Sequence, residues 1–290
     1  MMTRLLLLSR LFCCACMLLL GMFSYGQKIR KTITLDTDWL TIMDQKDSAR
    51  YSGFHRLSFK TDKDWRKVNV PHNWDSYAGY RRLLHGNLHG YSWYRKSFSL
   101  KHKTGKNRFF LFFEGVGSYA TVWLNGIRVG YHAGGRTTFT LDVTDAIKLD
   151  GSPNLLAVRA DHPAHIMDLP WVDGGCSTER GFSEGSQPMG IFRPVSLLIK
   201  NEVSITPFGE HYWNDETADN KEAVVHQTVE VSNKSKDHSD LEIITQVLDQ
   251  DGKLIVRSVS ENQIKGNSTK EIRLKDLVFT DPKLWSVASP

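Results

Sequence analysis

The chain has 290 residues, 40% of them hydrophobic and 11% aromatic, with a formal net charge of +5. That length holds one large or two ordinary domains, and that apolar share builds real cores, which excludes global disorder. No run of five or more basic residues occurs, which argues against a nucleic-acid partner, and net charge says nothing further about function.

Residues 1–26 read as a secretory signal. Arg4 and Arg10 supply the positive start, Leu11 to Phe23 is an apolar run, and Ser24-Tyr25-Gly26 places small residues where a signal peptidase cuts. The run is short for a membrane span of ~20 residues. A retained anchor is the alternative; a lipid attached at Cys13, Cys14 or Cys16 is disfavoured because the apolar run continues past all three. The mature protein is expected to be exported, periplasmic or secreted. Cys176 is then its only cysteine, so no intrachain disulfide forms and stability comes from packing.

After residue 30, short β-rich runs replace any helical period. They fall at Lys67–Val70, Trp93–Leu100, Arg108–Phe113, Thr121–Leu124, Ile127–Gly130, Thr138–Val143, Asn154–Ala160 and Pro194–Ile199. Turn residues separate them at fairly regular intervals, the pattern of an all-β sandwich. Asn125-Gly126 between two apolar runs predicts a type I′ hairpin, because both central residues need φ > 0. Leu155 to Val158 reads as a strand packed on both faces, and Trp93 to Phe98 as a half-exposed one. A boundary falls near Ile205–Tyr212. Beyond it Val224–Val231, Leu241–Leu248, Leu254–Val259 and Glu271–Phe279 form a second series, with Asp251-Gly252 as a tight hairpin. Their spacing predicts a small immunoglobulin-like sandwich. The predicted domains are 27–205 and 206–290, with little helix.

Asp161–Gly190 stands apart. It is long and glycine-rich, and it carries Trp171, Asp173, Glu179 and Glu184. Loops of that length in compact domains are functional or disordered, and this one is too rich in Trp, Phe and Ile for simple disorder. Trp171 offers an aromatic plane on which a ligand can stack, with packing of the loop on the sandwich as the structural alternative. Asp173 lies beside it. His89, with His85 in the loop Arg81–Gly90, is a candidate for a polar rim. Asp161, His162, His165, Asp168, Asp173 and Cys176 invite a metal reading, but their spacing fits no standard site. No metal and no cofactor is expected.

Several motifs resemble, in order, the sugar-binding jelly-roll domain at the front of family 2 glycoside hydrolases, the β-galactosidase, β-glucuronidase and β-mannosidase family. Trp65 to Trp74 resembles its W-x-x-V-x-V-P-H-x-W opening, and Gly90 to Phe98 its G-x-x-W-Y-R-x-x-F strand. Phe113-Glu114-Gly115-Val116 and Val122-Trp123-Leu124-Asn125-Gly126 match F-E-G-V and V-W-L-N-G. Gly134-Gly135, Phe139, Asp142 to Asp145 and Leu156 to Arg159 continue the pattern. Gly190 to Val195 matches G-I-x-R-x-V, and Pro282-Lys283-Leu284-Trp285-Ser286 resembles the P-x-L-W-S phrase that ends the second, immunoglobulin-like domain. The resemblance covers roughly residues 32–290. It implies an all-β chain: a jelly-roll (galactose-binding-like) sandwich, then an immunoglobulin-like sandwich. Trp93, Trp123 and Phe113 sit within strands and read as core residues rather than sugar platforms.

The resemblance also implies where sugar would touch. A carboxylate six residues before the G-I-x-R glycine reaches the sugar site in such proteins, and Glu184 holds that position here. A carboxylate accepts hydrogen bonds from two hydroxyls at once; glutamate in place of the familiar aspartate adds a methylene, which alters reach. Retaining hydrolysis needs two carboxyl groups about 5–5.5 Å apart. The resemblance places both in a (β/α)₈ barrel that comes third, for which βαβα alternation is absent here. A substitute pair of Glu179 and Glu184 lacks rigid support. The expectation is therefore a chain with no catalytic residue of its own, whose partner is a β-glycoside or glycan, with the barrel downstream in the full-length protein. Whether it forms homo-oligomers is open. The alternative is a free-standing lectin-like or scaffold protein.

Overall fold

A computed structural model of the chain describes residues 30–44, 53–74, 88, 90–103, 105–162, 188–215, 221–285 and 287. Among them there are strands and no helix. In order these are β1 (Lys31–Thr34), β2 (Trp39–Met43), β3 (Arg66–Val68), β4 (Gly90–Lys101), β5 (Asn107–Phe113), β6 (Tyr119–Leu124), β7 (Ile127–Ala133), β8 (Phe139–Asp142), β9 (Asp150–His162) and β10 (Val195–Asn201). The series continues with β11 (Val203–Asn214), β12 (Glu222–Asn233), β13 (Ser239–Leu248), β14 (Leu254–Ile264), β15 (Ser268–Arg273) and β16 (Leu277–Thr280).

The first ten strands make a jelly-roll sandwich. One sheet runs β1-β10-β5-β8 and the other β3-β2-β4-β9-β6-β7. The period-2 alternation explains the layering: Phe109, Leu111 and Phe113 of β5 point inward and are buried, meeting Val122, Leu124, Leu156 and Val158 from the facing sheet. The Asn125-Gly126 turn has φ of 54° and 83°, the two left-handed residues a type I′ hairpin requires. Strand β9 inserts between β4 and β6, so the hairpin's neighbour comes from 30 residues along the chain, not from the adjoining strand.

One strand departs from expectation. The β4 segment Ser92 to Lys96 is buried on both faces, not half-exposed. The cause is residues 53–60, which lie over the outer face of the six-stranded sheet. Arg95 donates to the carbonyls of Phe54, Arg56 and Phe59 and faces the Phe59 ring. Trp93 stacks on Trp123 at 5.3 Å, and His55 stacks on Trp123 at 5.0 Å. Trp93, Trp123 and Phe113 all belong to packed clusters, as core residues.

The later strands form the immunoglobulin-like sandwich, with β11-β12-β15 in one sheet, β16 paired to β12, and β13-β14 opposite. Its core is Val229, Val231, Ile264, Ile272 and Leu274. The single predicted strand Glu271–Phe279 is two strands here. Leu274 to Asp276 intervene, with Leu274 N–H bonded to the Gln227 carbonyl. The β13–β14 connection is a five-residue loop closed by Leu248 opposite Leu254, in which Gly252 at φ 80° donates to the Asp249 carbonyl. Asp251-Gly252 is thus part of a longer loop than a two-residue hairpin.

Candidate functional site

The central strands of the jelly roll end together, and three long connections are rooted there. The segment 75–87 leaves after Trp74, and 163–187 leaves after His162 and returns at Pro188. Trp74 N–H donates to the Met189 carbonyl at 2.8 Å, and Met189 N–H donates to Asn73 Oδ1 at 2.8 Å. Gly90 pairs with His162 in the β4–β9 register. Asp44, the last described residue before 45–52, donates from its N–H to the Tyr91 carbonyl. Pairing geometry therefore brings the stems of all three connections to one edge of the sandwich, Asn73 and Met189 meeting there across 116 residues of sequence.

The edge is built from short polar contacts, buried or half-buried. Ser118 Oγ and His162 Nδ1 lie 2.7 Å apart, and both residues are buried. Arg159 Nε meets Asp161 Oδ1 at 2.8 Å, with its guanidinium 4.4 Å over the Tyr91 ring. On the other side, His72 Nδ1 lies 2.8 Å from Tyr94 Oη. Burial holds the Tyr94 phenol well above its ordinary value, so it stays a donor; burial and the nearby Arg66 charge hold His72 below its own. The neutral imidazole accepts from the phenol. Trp74 Nε1 donates to Thr41 Oγ1 at 3.1 Å, and Thr41 in turn donates to the Trp93 carbonyl at 2.9 Å.

Two glycines let the backbones meet here. A Cβ on Gly117 would sit 1.7 Å from the Pro188 carbonyl oxygen, and one on Gly190 would sit 2.1 Å from Tyr94 Oη. Gly117 N–H donates to the Gly190 carbonyl at 3.0 Å. Only a residue without a side chain permits that approach.

The sequence-predicted contact residues His89, Trp171, Asp173 and Glu184 lie outside the described residues, as do His85, His165, Asp168, Cys176 and Glu179. Of the suggested metal cluster only Asp161 and His162 are described, and they face Arg159 and Ser118 respectively. Among the described residues no group of three or more His, Cys, Asp or Glu is placed to hold a metal ion. The sequence reading missed Ser118, Tyr94 and Gly117 as parts of this edge. His72 and Trp74 did carry a signal, standing in the opening motif, and Gly190 in the closing one.

The sequence profile described as "Glycosyl hydrolases family 2, sugar binding domain" matches residues 63–201, and that described as "Glycosyl hydrolases family 2" matches 210–290. A β-galactosidase of Bacteroides ovatus is 26% identical over 276 residues, covering 90% of this chain and 29% of the relative. A β-glucuronidase of Bacteroides fragilis is 31% identical over 241 residues, covering 80% of this chain and 32% of the relative. The chain thus spans about a third or less of the length of these curated relatives. The crystal structure of a Bacteroides uniformis β-glucuronidase superposes with a TM-score of 0.73 at 23% identity, over 90% of this chain and 29% of that one, which establishes a shared fold. Two profiles in order and a common architecture agree: the chain belongs to glycosyl hydrolase family 2 and carries that family's sugar-binding jelly roll followed by its immunoglobulin-like sandwich.

Proposed function

We propose that this chain is the sugar-contacting, non-catalytic part of an exported family 2 glycoside hydrolase. In that role the jelly roll lends the connections 75–87 and 163–187 to a β-glycoside site, with Glu184 accepting hydrogen bonds from sugar hydroxyls and Trp171, Asp173 and His89 contributing further contacts. The observation that carries the reading is the rooting of these connections side by side on one polar edge of a domain whose profile is sugar binding. Hydrolysis itself needs a carboxyl pair on a rigid support, which we assign to the further length that the relatives have, a (β/α)₈ barrel. Export rests on the Arg4, Arg10 and Leu11–Phe23 pattern.

Calorimetric titration of galactosides, glucuronides and mannosides into the chain tests the contact. One of these sugars is expected to bind at millimolar concentration, and Glu184→Ala to weaken binding by about tenfold, the worth of a charge-assisted hydrogen bond or so, with an unchanged melting temperature. No heat from any sugar, or a large loss of stability with binding retained, counts against it.

A further inference from the structure

We propose that Trp213, Asp215 and Asp276 form a second carbohydrate-contact surface, on the immunoglobulin-like sandwich, that takes a neutral pyranose chain. Trp213 lies on β11, an edge strand, directly opposite His226 of β12, and keeps 44% of its surface in solvent. It is nonetheless held. The Arg273 guanidinium lies 4.6 Å from its ring centre, and the His226 ring 5.5 Å away. Arg273 is itself fixed by Asp276 at 2.8 Å, and Asp215 by His226 Nε2 at 2.9 Å.

Ordering exposed long side chains costs conformational entropy that surface ion pairs return poorly. An exposed aromatic ring locked beside two oriented carboxylates is instead the composition of a binding surface, where pre-ordering lowers the cost of association. The ring offers a plane to the C–H face of a pyranose. Each carboxylate has four lone-pair positions, so the bonds already made to His226 and Arg273 leave acceptors for sugar hydroxyls. Charge selects the class. Both carboxylates are already paired with Arg273 and His226, so no cation is left over to hold a uronate carboxylate, while neutral hydroxyls can use the remaining lone pairs. The surface stands on the immunoglobulin-like sandwich and uses no residue of 163–187.

The test follows the indole N–H signals of the whole chain by NMR during titration with β-1,4-linked galactotetraose and, separately, with a β-linked glucuronic-acid disaccharide. The Trp213 signal, assigned by its absence in Trp213→Ala, is expected to shift at millimolar galactotetraose. Calorimetry in a Glu184→Ala background reads the variants: Trp213→Ala is expected to weaken galactotetraose binding about tenfold, Trp213→Tyr to keep most of it and Asp215→Asn to lose a part. The acidic disaccharide is expected to bind at least several-fold more weakly. Glu184→Ala should leave the Trp213 response intact, which separates this surface from the loop site. No shift of that signal at millimolar galactotetraose overturns the proposal, as does calorimetric binding left unchanged by Trp213→Ala. A shift that follows protein concentration and not sugar also overturns it, and assigns the ring to contact between protein chains.

Discussion

Single residues carry the geometry of the loop-bearing edge, and Gly190 shows how. In sequence it is the first letter of a closing motif; in the fold its φ of 128° and its contact with Tyr94 Oη leave no room for a side chain. Gly190→Ala is expected to destabilise the chain by about 2–4 kcal/mol, backbone strain and overpacking together. It should also weaken sugar binding, since the stem of 163–187 is tied down at this point. Denaturant unfolding and calorimetry on the same variant check both, and an unchanged midpoint would show that the Tyr94 ring yields freely. Arg95 teaches a related lesson. It reads as a surface residue in a strand, yet three carbonyls of residues 53–60 take its charge indoors, and no local pattern announces a contact 36 to 41 residues away.

At the scale of elements, His226 joins β11, β12 and the β15–β16 connection. Its Nε2 faces Asp215, and its Nδ1 lies 3.0 Å from Asp276 and 2.7 Å from Arg273. When neutral, Nδ1 accepts from Arg273; when charged, it donates to Asp276. Two carboxylates against one guanidinium favour the imidazolium, and the hydrogen bonds to Asp276 and then Asp215 raise its pKa. Because the folded value lies above the unfolded one, near 6.5, this stabilisation is fully present below about pH 6.5 and is lost as pH rises through the raised value. The melting-temperature gap between the native chain and His226→Gln should therefore be widest on the acid side and close as pH rises. A gap that widens toward alkaline pH would mean the Arg273 contact dominates. The Asn125-Gly126 hairpin was legible in advance, since it needs only local sterics. The division of Glu271–Phe279 into two strands was not, because it depends on β12 offering the Gln227 carbonyl to Leu274.

For the whole molecule, the two cores share no residue: Leu111 belongs to one, Ile272 to the other. Sheet membership changes between β10 and β11. If 27–205 and 206–290 are separate folding units, calorimetry should show two transitions. Leu111→Ala should then lower one and Ile272→Ala the other, each by about 2–5 kcal/mol. One transition lowered equally by both variants would merge the units.

What the sequence determined alone is the local chemistry: period-2 strands, left-handed turn residues, and an ordered set of motifs that name the family. These are short-range properties, set by sterics and by which side chains alternate. The tertiary structure decided which strands became neighbours. It put β9 between β4 and β6, covered Trp93 and Arg95 with residues 53–60, and brought Trp74, Gly90, His162 and Met189 to one edge. Such pairings are chosen by the burial and hydrogen bonding of distant segments, so no window of sequence contains them.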